Sequence, residues 1–407
     1  MQYNNENNMP FAATTPPRMI TLVIFTALST LSLNMFLPSL ANMARDFEAE
    51  YALLTLAVAG YLGITAVLML IIGPLSDRYG RRPVMLVALL IFVMASFVCM
   101  LATNVWVFLV FRVLQGTVIA GWAIALAVVR DTSPPQEAAR RISLITMAMS
   151  VAPLLGPMLG GVLDELFGWR ASFVTYTLFG MGALLICWFD LGETNQTRSV
   201  NFRQQFRSYP DLLKSAQYWD YAACMAFSNS GFYIFIAGVP LVAVVMLGLS
   251  PALLGVYMGT ITIGFTFSAF ISSRLAHRVP LTSLILAGRL IAVTGSLASL
   301  LFFLAGMGNT LTLFGPLILI GAGNGLTVPN ANAGAMSIRP DLAGSAVGLL
   351  GALAVGCGAA LTALTGMLVS ETSGAIPLLT LLLVITLLSL AAGLHLKWLT
   401  RRRGYEG

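Results

Sequence analysis

Gly73-Pro74-Leu75-Ser76-Asp77-Arg78-Tyr79-Gly80-Arg81-Arg82-Pro83 lies between two long apolar runs and packs four charges between positions 77 and 82. Pro lacks an amide to continue a helical ladder and Gly tolerates a turn, so Gly73-Pro74 is expected to end the preceding helix. Gly80 allows a tight reversal, and Pro83 suits the first turn of the helix that follows. A basic stop-transfer cluster explains the arginines, but not the Gly-Pro pair, Asp77 or the second Gly. The stretch reads as a structured loop at one face of a membrane.

Composition sets the class. Of 407 residues, 58% are hydrophobic and only 9% charged. A soluble domain carries about 25% charged residues. So few charges cannot cover a water-exposed surface, and most of the chain must face lipid or other helices. The net charge of +6 is small and falls on one side of the membrane, which argues for topology and against nucleic-acid binding. Cys99, Cys187, Cys224 and Cys357 lie singly within apolar runs and read as small buried residues, with no disulfide framework or metal spacing. Residues 1–17 are polar and Asn-rich, without the pattern of a cleavable leader. The chain has no phosphate-binding loop of the P-loop type, and His277 and His395 stand far apart. ATP-driven pumping and membrane-embedded enzymology therefore have no sequence support, and no cofactor or metal is expected.

Working outward from the loop, apolar runs of about 19–25 residues, each long enough to cross a ~30 Å hydrocarbon core, recur on both sides. Six fall at about 19–37, 51–72, 84–102, 105–129, 142–163 and up to 189. A polar stretch with Arg198, Arg203, Arg207 and Lys214 follows, and then six more runs at about 218–247, 251–275, 281–304, 311–336, 342–369 and 375–399. The expected fold is an all-α membrane protein with twelve transmembrane helices in two pseudo-symmetric six-helix bundles. Its expected units are a tail (1–18), a first bundle (19–189), a linker (190–217), a second bundle (218–399) and a basic tail (400–407). Arg78, Arg81, Arg82, Arg130, Arg140, Arg141, Arg274, Arg278, Arg339 and Arg401-Arg402-Arg403 share one side; Asp46, Glu48, Glu50, Asp164, Glu165 and Glu371 face the other. By the positive-inside rule both termini are cytoplasmic. Leu75-Ser-Asp-Arg78 has an echo in Leu275-Ala-His-Arg278, where a duplicated six-helix unit would put it.

The Gly73–Pro83 pattern resembles the signature loop between the second and third helices of the major facilitator superfamily. Two further stretches resemble its bicyclomycin/chloramphenicol-resistance (Bcr/CflA-like) drug exporters: Asn34-Met-Phe-Leu-Pro-Ser-Leu40, and Gly323-Asn-Gly-Leu-Thr-Val-Pro329-Asn-Ala-Asn332 with Ala343-Gly-Ser-Ala346. Phe111-Arg112-Val-Leu-Gln115-Gly116 resembles the fourth-helix motif of proton-driven members, whose Arg is implicated in proton coupling. Ala152-Pro153-Leu-Leu-Gly156-Pro157-Met-Leu-Gly160-Gly161 resembles the fifth-helix motif of exporters, a hinge and seal between the halves. The resemblance implies the major facilitator fold, a multi-pass protein of the bacterial inner membrane, and proton-coupled efflux of small amphiphilic, drug-like substrates by alternating access. The bilayer and protons are its expected partners, and a monomer its expected form. A facilitator or importer of a small metabolite is the competing reading.

Arg112 is the leading candidate. Counted from the outer end of its span it sits roughly 10 Å deep, and a guanidinium there costs at least ~2.5 kcal/mol unless it faces a wet cavity or a partner. The alternative is an Arg that snorkels or ties helices together. Asn34 lies at a similar height and is a candidate contact for Arg112 or substrate, with a plain interhelical hydrogen bond as the competing role. Where the subfamily usually carries an acid this chain has an amide, which cannot exchange a proton at physiological pH; that favours neutral, zwitterionic or anionic cargo. Gln115, Asn229, Tyr233, Asn324 and Asn330 are candidate cavity residues, with helix packing as the competing role. Gly73, Asp77, Arg78, Gly80, Arg81, Arg130 and Asp131, with Glu137 and Arg140 nearby, form a candidate gating network, against plain topology and solvated pairs as the alternative. Pro153, Gly156, Pro157, Gly160 and Gly161 form the candidate hinge. Arg289, a few residues into its span, is expected to snorkel to the cytoplasmic face.

Overall fold

The computed structural model describes residues 17–195, 209–210, 212–339, 342–370 and 372–402. The tail before residue 17, Arg198, Arg203, Arg207, Glu371 and Arg403 lie outside them. The described residues hold twelve helical stretches long and apolar enough to cross a membrane. The first is α1 (Met19–Asn34) and α2 (Leu40–Asp46), joined by a 3₁₀ turn at Leu37–Ser39. Then come α3 (Tyr51–Tyr79) and α4 (Arg81–Leu101). The fourth is α5 (Val105–Gln115) and α6 (Ala120–Thr132), joined by a 3₁₀ turn at Gly116–Ile119. The first bundle closes with α7 (Pro135–Phe167) and α8 (Arg170–Asp190). The second contains α9 (Ala216–Leu241), α10 (Pro251–Leu275), α11 (Leu281–Leu304), α12 (Thr310–Ile338), α13 (Ala343–Leu368) and α14 (Ile376–Arg402).

Two local readings of the sequence need correction. Gly73-Pro74 does not end a helix, because α3 runs through Pro74 to Tyr79. Pro74 costs the helix one bond, to the Leu70 carbonyl, and α3 continues past it, with the Ser76 hydroxyl donating to the Gly73 carbonyl at 2.9 Å. The terminator is Gly80, whose φ of 102° is open to glycine and costly for other residues. Its amide closes α3 on the Ser76 carbonyl, and α4 starts at the next residue. The signature loop is thus one residue between two helices. The first span, expected to end at residue 37, instead stays helical to Asp46 after its 3₁₀ break, with Pro38 in the turn where its missing amide is not needed.

The bundles meet along two antiparallel pairs. In one, α7 lies on α10 so closely that a Cβ on Gly161 would strike the Pro251 carbonyl and one on Gly255 the Pro157 carbonyl. In the other, α3 lies on α13, with Thr55 against Gly366, Ala66 near Gly356 and Met69 near Gly351. Continued at the same register, that pairing would bring Gly73 opposite Gly348, yet a Cβ at Gly73, Gly344 or Gly348 would meet nothing within 4 Å. The helices therefore touch at the end away from Gly80 (the far end) and splay at the Gly80 end (the loop end). The Tyr51 hydroxyl adds a bond across the far end to the Ala237 carbonyl at 2.6 Å.

Candidate functional site

The unwinding of α1 builds the site. The helix ends at Asn34, where the Met35 amide closes it on the Leu31 carbonyl at 2.9 Å. Side chains from three other helices reach carbonyls of its last two turns. Tyr61 of α3 donates to the Ser29 carbonyl at 3.1 Å, Tyr176 of α8 to Leu31 at 3.2 Å, and Arg112 of α5 to Ser32 at 2.7 Å. Arg112 is fully buried. Its second terminal nitrogen donates to Gln115 Oε1 at 2.6 Å and to the Ser32 hydroxyl at 3.3 Å. The guanidinium lies 4.1 Å from the Phe36 ring centre and 4.5 Å from that of Tyr61. Gln115 passes the chain on, donating to the Ser96 hydroxyl of α4 at 2.6 Å. Among the described residues no carboxylate pairs with Arg112. Its charge is offset by neutral oxygens and by two ring faces, which contribute about 2 kcal/mol each when desolvated. Arg112 Nε stays without a partner.

Asn34 points elsewhere. It is buried, donates to the Thr30 carbonyl of its own helix at 2.8 Å, and leaves Oδ1 without a partner. A Cβ on Gly156 of α7 would sit 3.2 Å from its Cβ. Asn34 thus faces the fifth span, while Ser32 of α1 and Phe36, just beyond its end, meet Arg112.

Arg289 departs from expectation. Rather than snorkelling to the membrane face, it is fully buried. Its Nε donates to the Thr327 hydroxyl at 2.7 Å and a terminal nitrogen to Asn324 Oδ1 at 3.0 Å. Asn324 in turn accepts from the Ser228 hydroxyl at 2.7 Å and donates to the Ser228 carbonyl at 3.1 Å, so α9, α11 and α12 share one polar knot. The other terminal nitrogen of Arg289 is unpartnered. Among the described residues each bundle therefore holds one fully buried guanidinium whose hydrogen bonds all go to neutral groups.

The remaining candidates are dispersed. Asn330 donates to the Ser272 hydroxyl at 2.7 Å and to the Leu326 carbonyl, a packing role between α12 and α10. Tyr233 packs its ring on Gly358, tying α9 to α13. Asn229, on α9, is half-buried. Pro153 and Pro157 lie within an unbroken α7. Gly156 and Gly160 of that helix face Asn34 and Met35, and Gly161 faces α10.

At the loop end Arg81 is the hub. It pairs with Asp77 at 2.5 Å and with Asp131 at 3.1 Å, and bonds the Ser76 hydroxyl. Arg130 and Arg140 are exposed, and Glu137 pairs with Arg141 within α7. Arg78 lies over the Tyr79 ring. Sequence reasoning missed Glu193, which follows α8. Its carboxylate accepts the backbone amides of Arg81 at 2.9 Å and Arg82 at 3.3 Å, capping α4. A Cβ on Gly80 would collide with it. The signal was present as an acid just beyond a span, at the distance a helix N-terminus needs.

The described residues form two bundles of helices long and apolar enough to cross a membrane, an architecture that suits a transporter. Residues 22–363 match the model of the Major Facilitator Superfamily, and the chain belongs to that family. It is 30% identical over 369 residues to multidrug resistance protein D of Escherichia coli (strain K12), covering 89% of this chain and 91% of that one. It is 27% identical to a chloramphenicol resistance protein of Pseudomonas aeruginosa, over 80% of this chain and 78% of that one. In fold it is similar to a bacterial homologue of the human lysosomal transporter Spinster, with a TM-score of 0.78 at 17% identity over 96% and 98% of the two chains.

Proposed function

We propose that this transporter exports small amphiphilic, drug-like molecules across the bacterial inner membrane in exchange for protons, as a monomer with both termini cytoplasmic. The observation that carries the reading is Arg112: a guanidinium without an acid, held at the unwound end of α1 where a proton or an anionic cargo group changes its balance most. The names of the relatives support drug-like cargo, and the excess of basic residues at the loop end supports the orientation. In this reading the splayed loop end opens to the cytoplasm, and the α7–α10 and α3–α13 pairs seal the outside. Loading lets the bundles rock about those pairs, since both states must lie within a few kcal/mol. Arg81, bridging Asp77 and Asp131, steadies the loop end in one state and yields in the other. With an amide at position 34, Arg112 is the first-bundle charge left to respond to proton or cargo, and Gln115 and Ser96 hold it in place.

Expression in a strain stripped of its own exporters, challenged with a drug panel with and without a protonophore, tests this directly. Protonophore-sensitive export is expected. Export that persists when the proton gradient collapses removes the antiport assignment, and uptake driven by a substrate gradient alone establishes the facilitator reading instead.

A further inference from the structure

The two halves repeat with an offset of 200 residues at their loop ends: Leu75–Arg78 maps on Leu275–Arg278, Gly80 on Pro280, and the start of α4 at Arg81 on the start of α11 at Leu281. In the first half the amides that open α4 are occupied by the Glu193 carboxylate, reaching in from beyond the bundle's last helix. In the second half no described side chain accepts the equivalent amides of Leu281 and Thr282. A cavity of about 990 Å³ opens there instead, between the start of α9 and the ends of α10, α12 and α14. Its walls carry His277, Arg278 and Lys397 with the hydroxyls of Thr282 and Ser283, and no carboxylate among the described residues.

We propose that this cavity is a binding site for a phosphate-bearing anion, supplied by the headgroup of an anionic lipid. Three independent features converge on it. The repeat shows what the position takes, because an oxyanion accepting the first-turn amides is already present in the other half. The cavity supplies the charge, with Arg278 and Lys397 on walls that carry no acid among the described residues. Its place matches a lipid source: it lies at the membrane end, and Trp398, next to Lys397 on α14, is exposed and stacked under Arg402, as an interfacial anchor would be. Basic pockets between helices at the positive face of a membrane are suited to phospholipid headgroups. The volume far exceeds what a bare phosphate ion needs and leaves room for the glycerol that follows it.

The test reads binding and not transport, so it stands apart from the efflux proposal. The full chain in neutral detergent is titrated with phosphatidylglycerol, phosphatidylcholine and inorganic phosphate, and bound molecules are counted by native mass spectrometry. One tightly held phosphatidylglycerol per chain is expected, with affinity falling about thirtyfold in the Arg278→Gln/Lys397→Gln double variant, at roughly fivefold per cation removed. Arg274→Gln, on the same face but outside the cavity, should leave it unchanged. Thr282→Ala, which removes no charge, should weaken it measurably. Competition by millimolar inorganic phosphate identifies the free ion as an alternative source with the chemistry intact. Equal loss in the Arg274 and double variants reduces the effect to surface charge and overturns the proposal. Binding that appears only in Glu406→Gln, an acid four residues beyond Arg402, also overturns it by making the cavity a self-capping site.

Discussion

A guanidinium without an acid beside it depends on geometry. Arg112 makes three hydrogen bonds, to the Ser32 carbonyl and hydroxyl and to Gln115, and stacks against two rings, a pattern lysine cannot reproduce. Arg112→Lys is therefore expected to keep the protein folded in the membrane while lowering drug export about tenfold or more; normal efflux rates in inverted vesicles would remove Arg112 from the mechanism. Arg289 calls for a different experiment. Replacing Arg289 with Leu leaves Asn324 bonded to Ser228 and Thr327 bonded to the Gly323 carbonyl, so the change should cost little, within about 1 kcal/mol. Asn324→Leu strands a buried charge and should cost about 3–5 kcal/mol, seen as a much lower unfolding temperature in detergent. Equal destabilisation by the two would refute this account of the knot. Depth counting found Arg112 in the sequence because the residue lies far from either end of its span. The same counting misplaced Arg289, since nine residues into a helix is still within reach of a long side chain. Its burial follows from the small residues on its face of α11, Gly288, Ala292 and Ser296, which let α12 and α14 close over it.

At the scale of elements, the sequence located the junction at Gly73–Pro83 but assigned its break to the wrong residue. Proline and glycine look alike as punctuation, and only tertiary support tells a tolerated proline from a true end. The two predictions separate cleanly. Pro74→Ala should change stability by less than about 1 kcal/mol, because α3 already runs through the site. Gly80→Ala should be severe, since it combines a φ of 102° with displacement of Glu193 from its cap, and it should lower both yield and unfolding temperature. The glycine pattern of the fifth span was legible as close packing, though its partners were not. Periodicity shows that a helix is approached, while the identity of the neighbour, Met35 for Gly160 and α10 for Gly161, comes from the fold. The unwinding of α1 after Asn34 was equally hidden, because the tyrosines and the arginine that bond its last carbonyls lie far off in sequence.

For the molecule as a whole, the pairing of α3 with α13 gives a direct readout of state. Cysteines at Ala66 and Gly356, whose Cβ atoms would lie 3.7 Å apart, should join directly as a disulfide and hold the paired part of α3 and α13 closed, whereas cysteines at Gly73 and Gly348 should not join until the bundles rock. Substrate that raises the second yield while lowering the first supports reciprocal motion, and parallel changes would show that the halves do not alternate. One further result follows from the two buried cations. Arg112 and Arg289 are tethered within their own bundles and carry no compensating anion among the described residues, so any rocking displaces net positive charge through the electric field of an energised membrane. At about 2.3 kcal/mol per elementary charge for each 100 mV crossed, even a partial displacement biases the two states. Turnover of an uncharged cargo should accordingly speed up or slow down with voltage alone, at fixed pH on both sides, and that dependence should shrink when either arginine is made neutral.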